Sequence, residues 1–121
     1  MEIIREGKYT SVVVMDAPGA GNACHKYSVF NKPTDPNATY VPEVLGTVSF
    51  QNGPIIESGV NGVQNEDLLA IVIHRLQGFQ SGPYKCDANQ VALDNCQLAL
   101  NALEARTKAR EARGVEGTHA V

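Results

Sequence analysis

A chain of 121 residues with 43% hydrophobic and 19% charged content fits one globular domain and excludes a disordered chain. Its net charge of −3 excludes bulk binding to DNA or RNA, which needs many neutralising Lys and Arg contacts. Tryptophan is absent and aromatics make up only 6%, so the core must be aliphatic.

The first residues, Met1-Glu2-Ile3-Ile4-Arg5, lack the basic-then-apolar pattern of a secretion signal. The longest apolar run, Leu68 to Ile73, is far too short to span a bilayer. The expectation is a soluble protein acting in the cytoplasm. Cys24, Cys86 and Cys96 form neither a C-x-x-C pair nor an even disulfide framework, and they read as free thiols.

Up to about residue 60 the pattern is that of strands. Tyr9 to Met15 is a β-branched run, closed by the turn signal Asp16-Ala17-Pro18-Gly19. His25 to Phe30 alternates, with Tyr27 and Val29 on one face. Asn31 to Asn37, with Pro33 and Pro36, is loop, and Val44 to Gln51 is another strand. Asn52-Gly53 followed by Pro54 to Glu57 predicts a hairpin turn and its return strand. A small antiparallel sheet of four to five strands results.

Ser58 to Gln64, with Gly59 and Gly62, links to a helical half. Asn65-Glu66-Asp67 supplies a cap candidate and acidic residues for a helix start. Leu68, Leu69, Val72, Ile73, Leu76 and Phe79 then recur at helical spacing, and Gly82-Pro83 stops the helix. A second helix starts at Asp87, with a capping-box partner at Gln90, and runs to Arg113 before Gly114. The fold class is therefore α+β: residues 1–60 a sheet part, residues 65–117 a long antiparallel helical hairpin, in a single domain over 1–121.

The second helix carries two apolar stripes. Leu93, Cys96, Leu100 and Leu103 form a seam stepping by three and four, while Val91, Leu98, Ala102, Ala105 and Ala109 form a stripe of smaller residues. Two stripes on one long helix imply two packing partners, so the hairpin is expected to build a homo-oligomer.

Continued outward, the seam leads to Asn89 at one end and to Arg106 and Arg110 at the other. Residues 106–113 hold Arg106, Lys108, Arg110 and Arg113 against Glu111 alone, leaving the remainder of the chain at −6. Guanidinium groups side by side on a helix suit a phosphate or pyrophosphate. A basic last turn is equally what the helix dipole favours, and spacing alone leaves both readings open. At the hairpin tip, Phe79 beside Gly78 and Gly82 reads either as a core residue or as a ring on which a base stacks.

Catalytic signals are thin. His74 lies in an apolar helix, His25 in a strand and His119 near the C-terminus, and no spacing among His, Cys, Asp and Glu gives a metal set. Asp16 and Asp94 have no evident partner. Gly19-Ala20-Gly21 lacks the Lys-Ser/Thr and the parallel βαβ unit of a phosphate loop. No catalytic residue, metal or cofactor is assigned.

His74-Arg75-Leu76-Gln77-Gly78-Phe79-Gln80, Asn89, and the ending Arg106-x-x-x-Arg110-x-x-Arg113-Gly114-Val115-Glu116-Gly117 together resemble a phage helical-hairpin family. It comprises the first-described Thoeris anti-defence (Tad) proteins, whose hairpin is shared with anti-CBASS proteins that sequester cyclic oligonucleotides. The resemblance covers about residues 65–117, and the preceding sheet is a mark of the Thoeris-type members. It implies a non-enzymatic sponge in the infected host's cytoplasm that holds glycocyclic ADP-ribose, the signal made by TIR-domain enzymes. Carried over, Phe79 is the aromatic stacker, Asn89 the amide, and Arg106 and Arg110 the phosphate-gripping pair, with Arg113 and Arg75 as further candidates. The implied pocket lies where hairpins of two protomers meet, in a dimer or a hexamer, and some members also bind cyclic di- or trinucleotides. Two other functions compete: a protein-interaction module docking through its hairpin, and a hydrolase of cyclic nucleotides.

Overall fold

The computed structural model describes residues 2–121. The chain divides into two compact units, one comprising the residues up to Gly53 with Ser58–Gly62, the other Pro54–Glu57 with Val63–Val121.

The first unit is a four-stranded antiparallel meander in the order β1-β2-β3-β4: β1 (Glu2–Glu6), β2 (Thr10–Val14), β3 (Lys26–Asn31) and β4 (Val44–Ser49). The β-branched run Val12–Val14 makes β2 a central strand. On one face Val14, Tyr27 and Val48 lie in one cross-strand row, and Val12, Val29 and Gly46 in the next. Tyr27 packs edge-on against Phe50, with ring centroids 5.7 Å apart. Val14 and Ser28 are buried at the centre of this sheet. Asp16 ties the loop after β2 back to β3, its carboxylate accepting the main-chain N–H groups of His25 and Lys26 at 3.0–3.1 Å.

Two expectations for the residues before the hairpin need correction. The fourth strand is β1, over residues that the sequence pattern left unassigned; its alternation is broken by an irregularity between Ile3 and Arg5. The return strand expected over Pro54 to Glu57 does not form. Ile55–Ser58 is instead a single helical turn, α1. Proline suits the start of a helix because its fixed φ is preset and its missing N–H is not needed there. Side chains also take the main-chain groups that a return strand would have paired. Asn61 accepts from the Asn52 N–H and donates to the Asn52 carbonyl, each at 2.8 Å. Gln51 donates to the carbonyls of Gly53 and Gly59 and accepts from the Asn61 N–H. Gly62 passes so close to the main chain of Ser49 and Phe50 that a Cβ there would collide with it.

The second unit is a helical hairpin of α2 (Asn65–Gln80) and α3 (Asp87–Ala112). The second helix starts at Asp87 as expected, but the cap of each helix lies one residue earlier than the sequence signals suggested. Gln64, not Asn65, caps α2, in a reciprocal capping box with Asp67. Cys86, not Asp87, caps α3, its Sγ accepting the Asn89 N–H at 3.4 Å. Gln90 is drawn away to Asp94 and Gln80. At its other end α3 closes in a Schellman turn: Val115 N–H bonds the Arg110 carbonyl and Gly114 N–H the Glu111 carbonyl, with Gly114 at φ +72°. At about 1.5 Å per residue α3 is about 39 Å long.

Only one side of α3 is covered by α2. Leu93, Cys96, Leu100 and Leu103 are half-buried, and the line continues through Thr107 to the buried Arg110. The step after Leu103 is therefore four residues, not three. Arg106 stands off the seam, exposed to solvent, which corrects its expected place on that line. The second stripe is open: Val91 is 60% and Leu98 65% exposed, and Ala102, Ala105 and Ala109 are exposed too. On α2, Ile71 is exposed, as is Val72, which the sequence pattern placed on the apolar face. Ile73 is the one buried apolar side chain among the described residues of this unit. As a lone hairpin it has little core.

Candidate functional site

Phe79 sits in the last turn of α2, Tyr84 in the connection and Asn89 in the first turn of α3, and together they line an open cavity of about 300 Å³ at the hairpin tip. The tip is fixed by Gln80, whose Oε1 accepts the Cys86 N–H and whose Nε2 donates to the Cys86 carbonyl, both at 3.1 Å. The Arg75 guanidinium lies 4.9 Å from the Phe79 ring centroid, a cation–π contact that holds the ring from one side. Tyr84 meets Phe79 nearly perpendicular, with centroids 6.1 Å apart. Asn89 Nδ2 donates to the Tyr84 carbonyl at 3.3 Å. This arrangement offers an aromatic surface with one amide at its edge, chemistry suited to a planar nitrogenous ring.

Thus Phe79, Asn89 and Arg75 are brought together. Arg106, Arg110 and Arg113 are not with them. From Asn89 to Arg106 along α3 is about 26 Å at the helical rise, so the basic cluster occupies the opposite end of the hairpin.

Within that cluster the three arginines differ. Arg106 and Arg113 are exposed, whereas Arg110 is 7% exposed. Arg110 Nε donates to Glu116 Oε2 at 2.9 Å, Nη2 to the carbonyls of Val115 (3.0 Å) and Thr118 (3.3 Å), and Nη1 to the Ala120 carbonyl. Of the five N–H groups that a guanidinium carries, one on Nη1 is left uncommitted. The segment so held also docks on α1, where Ile56 N–H bonds the Gly117 carbonyl at 3.1 Å and His119 lies 3.3 Å from Glu57. The R-x-x-R-G-V-E-G ending therefore has a structural meaning. Arg110 and Glu116 pin the chain back after the Gly114 turn.

Sequence reasoning missed Tyr84 as a pocket wall and Glu116 as the partner of Arg110. For Tyr84 the signal was its closeness to Phe79 across a short connection. For Glu116 it was an acid just past a helix-ending glycine that follows a basic turn.

Among the described residues, the remaining titratable groups build no second site. His25 is 6% exposed, its Nδ1 has no hydrogen-bond partner, and Asp16 Oδ2 lies 3.9 Å away. Desolvation pushes the Asp16 carboxyl up, but the N–H bonds from Lys26 and His25 and the charges of those side chains outweigh it and hold it below its ordinary 3.8. Among the described residues, no three of His, Cys, Asp and Glu are grouped to hold a metal ion, and Cys24, Cys86 and Cys96 are unbridged. No helix among them is long and apolar enough to cross a membrane.

Residues 44–108 match the family described as the Acb2/Tad1 hairpin domain. The chain is also similar to Thoeris anti-defense 1 of Bacillus phage SBSphiJ7, with 55% identity over 75 residues, covering 62% of this chain and 53% of that protein. The aligned part thus spans about half the length of that relative.

Proposed function

The chain belongs to the Acb2/Tad1 hairpin-domain family, and from that premise we propose that it is a phage anti-defence protein acting against Thoeris by sequestration. It binds glycocyclic ADP-ribose in the cytoplasm of the infected cell and releases it unchanged, with no cofactor and no catalytic step. Sequestration needs only affinity and copy number.

One observation carries this reading. The two halves of the binding chemistry stand at opposite ends of α3, and an exposed apolar stripe lies between them. That stripe runs from Val91 to Ala109, and Leu98 is its most exposed large apolar side chain. Antiparallel pairing of two copies about Leu98 sets Asn89 of one opposite Thr107 of the other, within a turn of Arg106. Burial of the stripe drives the pairing, and the pairing assembles two equivalent pockets. In each, the base stacks on Phe79 beside Asn89, held in place by Arg75. The diphosphate meets Arg106 and Arg113 of the second copy. The free Nη1 N–H of Arg110 gives a further contact. Charge-assisted hydrogen bonds in a groove closed to water make this a tight site for an anion.

Calorimetric titration with glycocyclic ADP-ribose tests the reading. Tight binding is expected, lost in Arg106→Ala, with intact ligand recovered on heating. Recovery of a cleaved ligand would instead identify a hydrolase. Absence of heat with this ligand or with cyclic di- or trinucleotides would favour a protein-docking role.

A further inference from the structure

The Asn52-Gly53 pair forms no hairpin, and the chain holds a second Asn-Gly pair at Asn61-Gly62. A glycine after asparagine invites an intramolecular reaction, because no Cβ shields its main-chain nitrogen from the neighbouring amide carbon. The two pairs are held differently. The Asn61 amide is committed at both ends, Oδ1 accepting the Asn52 N–H and Nδ2 donating to the Asn52 carbonyl. Gly62 is wedged against Phe50, where a Cβ would stand 2.4 Å from the carbonyl carbon. Asn61 Cγ therefore cannot turn toward the Gly62 nitrogen without breaking both bonds and shifting that contact. Asn52 is exposed, and its side-chain amide bonds no group among the described residues. The Gly53 N–H is unbonded among them as well.

We infer that Asn52, and not Asn61, is the Asn-Gly site at which the folded protein deamidates without an enzyme. The Gly53 nitrogen, its proton passed to solvent base, attacks Asn52 Cγ. The new N–Cγ bond closes a succinimide, the Cγ–Nδ2 bond breaks, and the amide nitrogen leaves as ammonia with a proton from water. Water then opens the ring at either carbonyl, giving aspartate or isoaspartate, and nothing is oxidised or reduced. Both products carry a new carboxylate. In the isoaspartate the main chain runs through the former side chain and is longer by one carbon. Gly53 is the last residue of the sheet unit before the chain passes to Pro54, so the added carbon enters at that passage.

The test holds the full chain in mildly alkaline buffer, folded in one arm and in guanidinium chloride in the other, and maps the products by peptide mass spectrometry. In the folded arm Asn52 converts and Asn61 lags by about tenfold or more, since its two hydrogen bonds must break before it reacts. In the denatured arm the two rates converge, because both residues then precede an unshielded glycine. Equal folded-state rates, or conversion of Asn61 first, overturn the assignment. So does an Asn52 that stays intact in the folded arm over a time that converts it when denatured. A gap that persists in the denatured arm overturns it too, since the fold would not be its cause. None of these outcomes depends on the ligand.

Discussion

Arg110 and Glu116 are joined at 2.9 Å across the Gly114 turn, so the guanidinium nearest the expected phosphate grip also folds the C-terminal segment. A substitution at Arg110 therefore moves two quantities at once, whereas Arg106 is exposed and free of that duty. Arg106→Ala should reduce ligand binding and leave the melting temperature within a degree or two, since exposed substitutions cost little. Arg110→Ala should lower both. A melting curve beside each titration separates the two effects.

Removing the carboxylate is the cleaner probe of the fold-back. Glu116→Ala leaves Arg110 buried with its ion pair broken. Hydrogen bonds to charged groups contribute about 1.5–3 kcal/mol, and the part-exposure of Glu116 favours the lower end. The expected outcome is a loss of about 1.5 kcal/mol by denaturant titration. Unchanged stability would show that the pair does not hold the segment.

At Gly114 the backbone sits at φ +72°, where a Cβ is disfavoured. Gly114→Ala should cost about 1 kcal/mol, read by the same titration. No neighbouring atom lies where the Cβ would be, so conformation alone accounts for the loss.

Acid sensitivity of the sheet unit follows from Asp16. Its folded pKa is depressed, so its contribution to stability is complete above the ordinary carboxylate range and fades as pH falls below about 4. Asp16→Asn should flatten that limb of the pH–stability curve and leave the limb above pH 7 unaltered in shape. Denaturant midpoints measured from pH 2 to 8 check this.

Leu98 is the most exposed large apolar side chain of the open stripe, with 65% of its surface exposed. Leu98→Glu places a charge on each side of the proposed two-fold contact, which should yield a monomer by light scattering. Ligand binding should vanish with the dimer, although every ligand-facing residue is intact.

How far these features could be read from the sequence depends on whether a signal is local. Strands β2, β3 and β4 were legible because β-branched runs and turn residues mark them within a few positions. Strand β1 was not, because its irregularity between Ile3 and Arg5 breaks the period of two. The Asn52-Gly53 hairpin signal was overridden by contacts from Asn61, a residue outside any local window. Both helices were found, but Gln64 and Cys86 are unusual caps beside more favoured neighbours. At the site, Phe79 and Asn89 were legible as types, and so was the cluster of arginines. The separate duty of Arg110 was hidden, because a basic last turn looks alike whether it meets a dipole, an anion or a carboxylate further along the chain.

The central claim is that one pocket takes its tip from one copy and its arginines from another. Mixing two variants tests it most directly: Phe79→Ala/Asn89→Ala, deficient at the tip, and Arg106→Ala/Arg113→Ala, deficient at the basic end. Each alone should fail to bind glycocyclic ADP-ribose. In a mixed dimer one pocket combines both deficient parts, while the other combines both intact ones. After subunit exchange, the equal mixture should therefore regain about one quarter of the unsubstituted capacity in equilibrium dialysis. A mixture as inactive as its components would contradict the shared pocket.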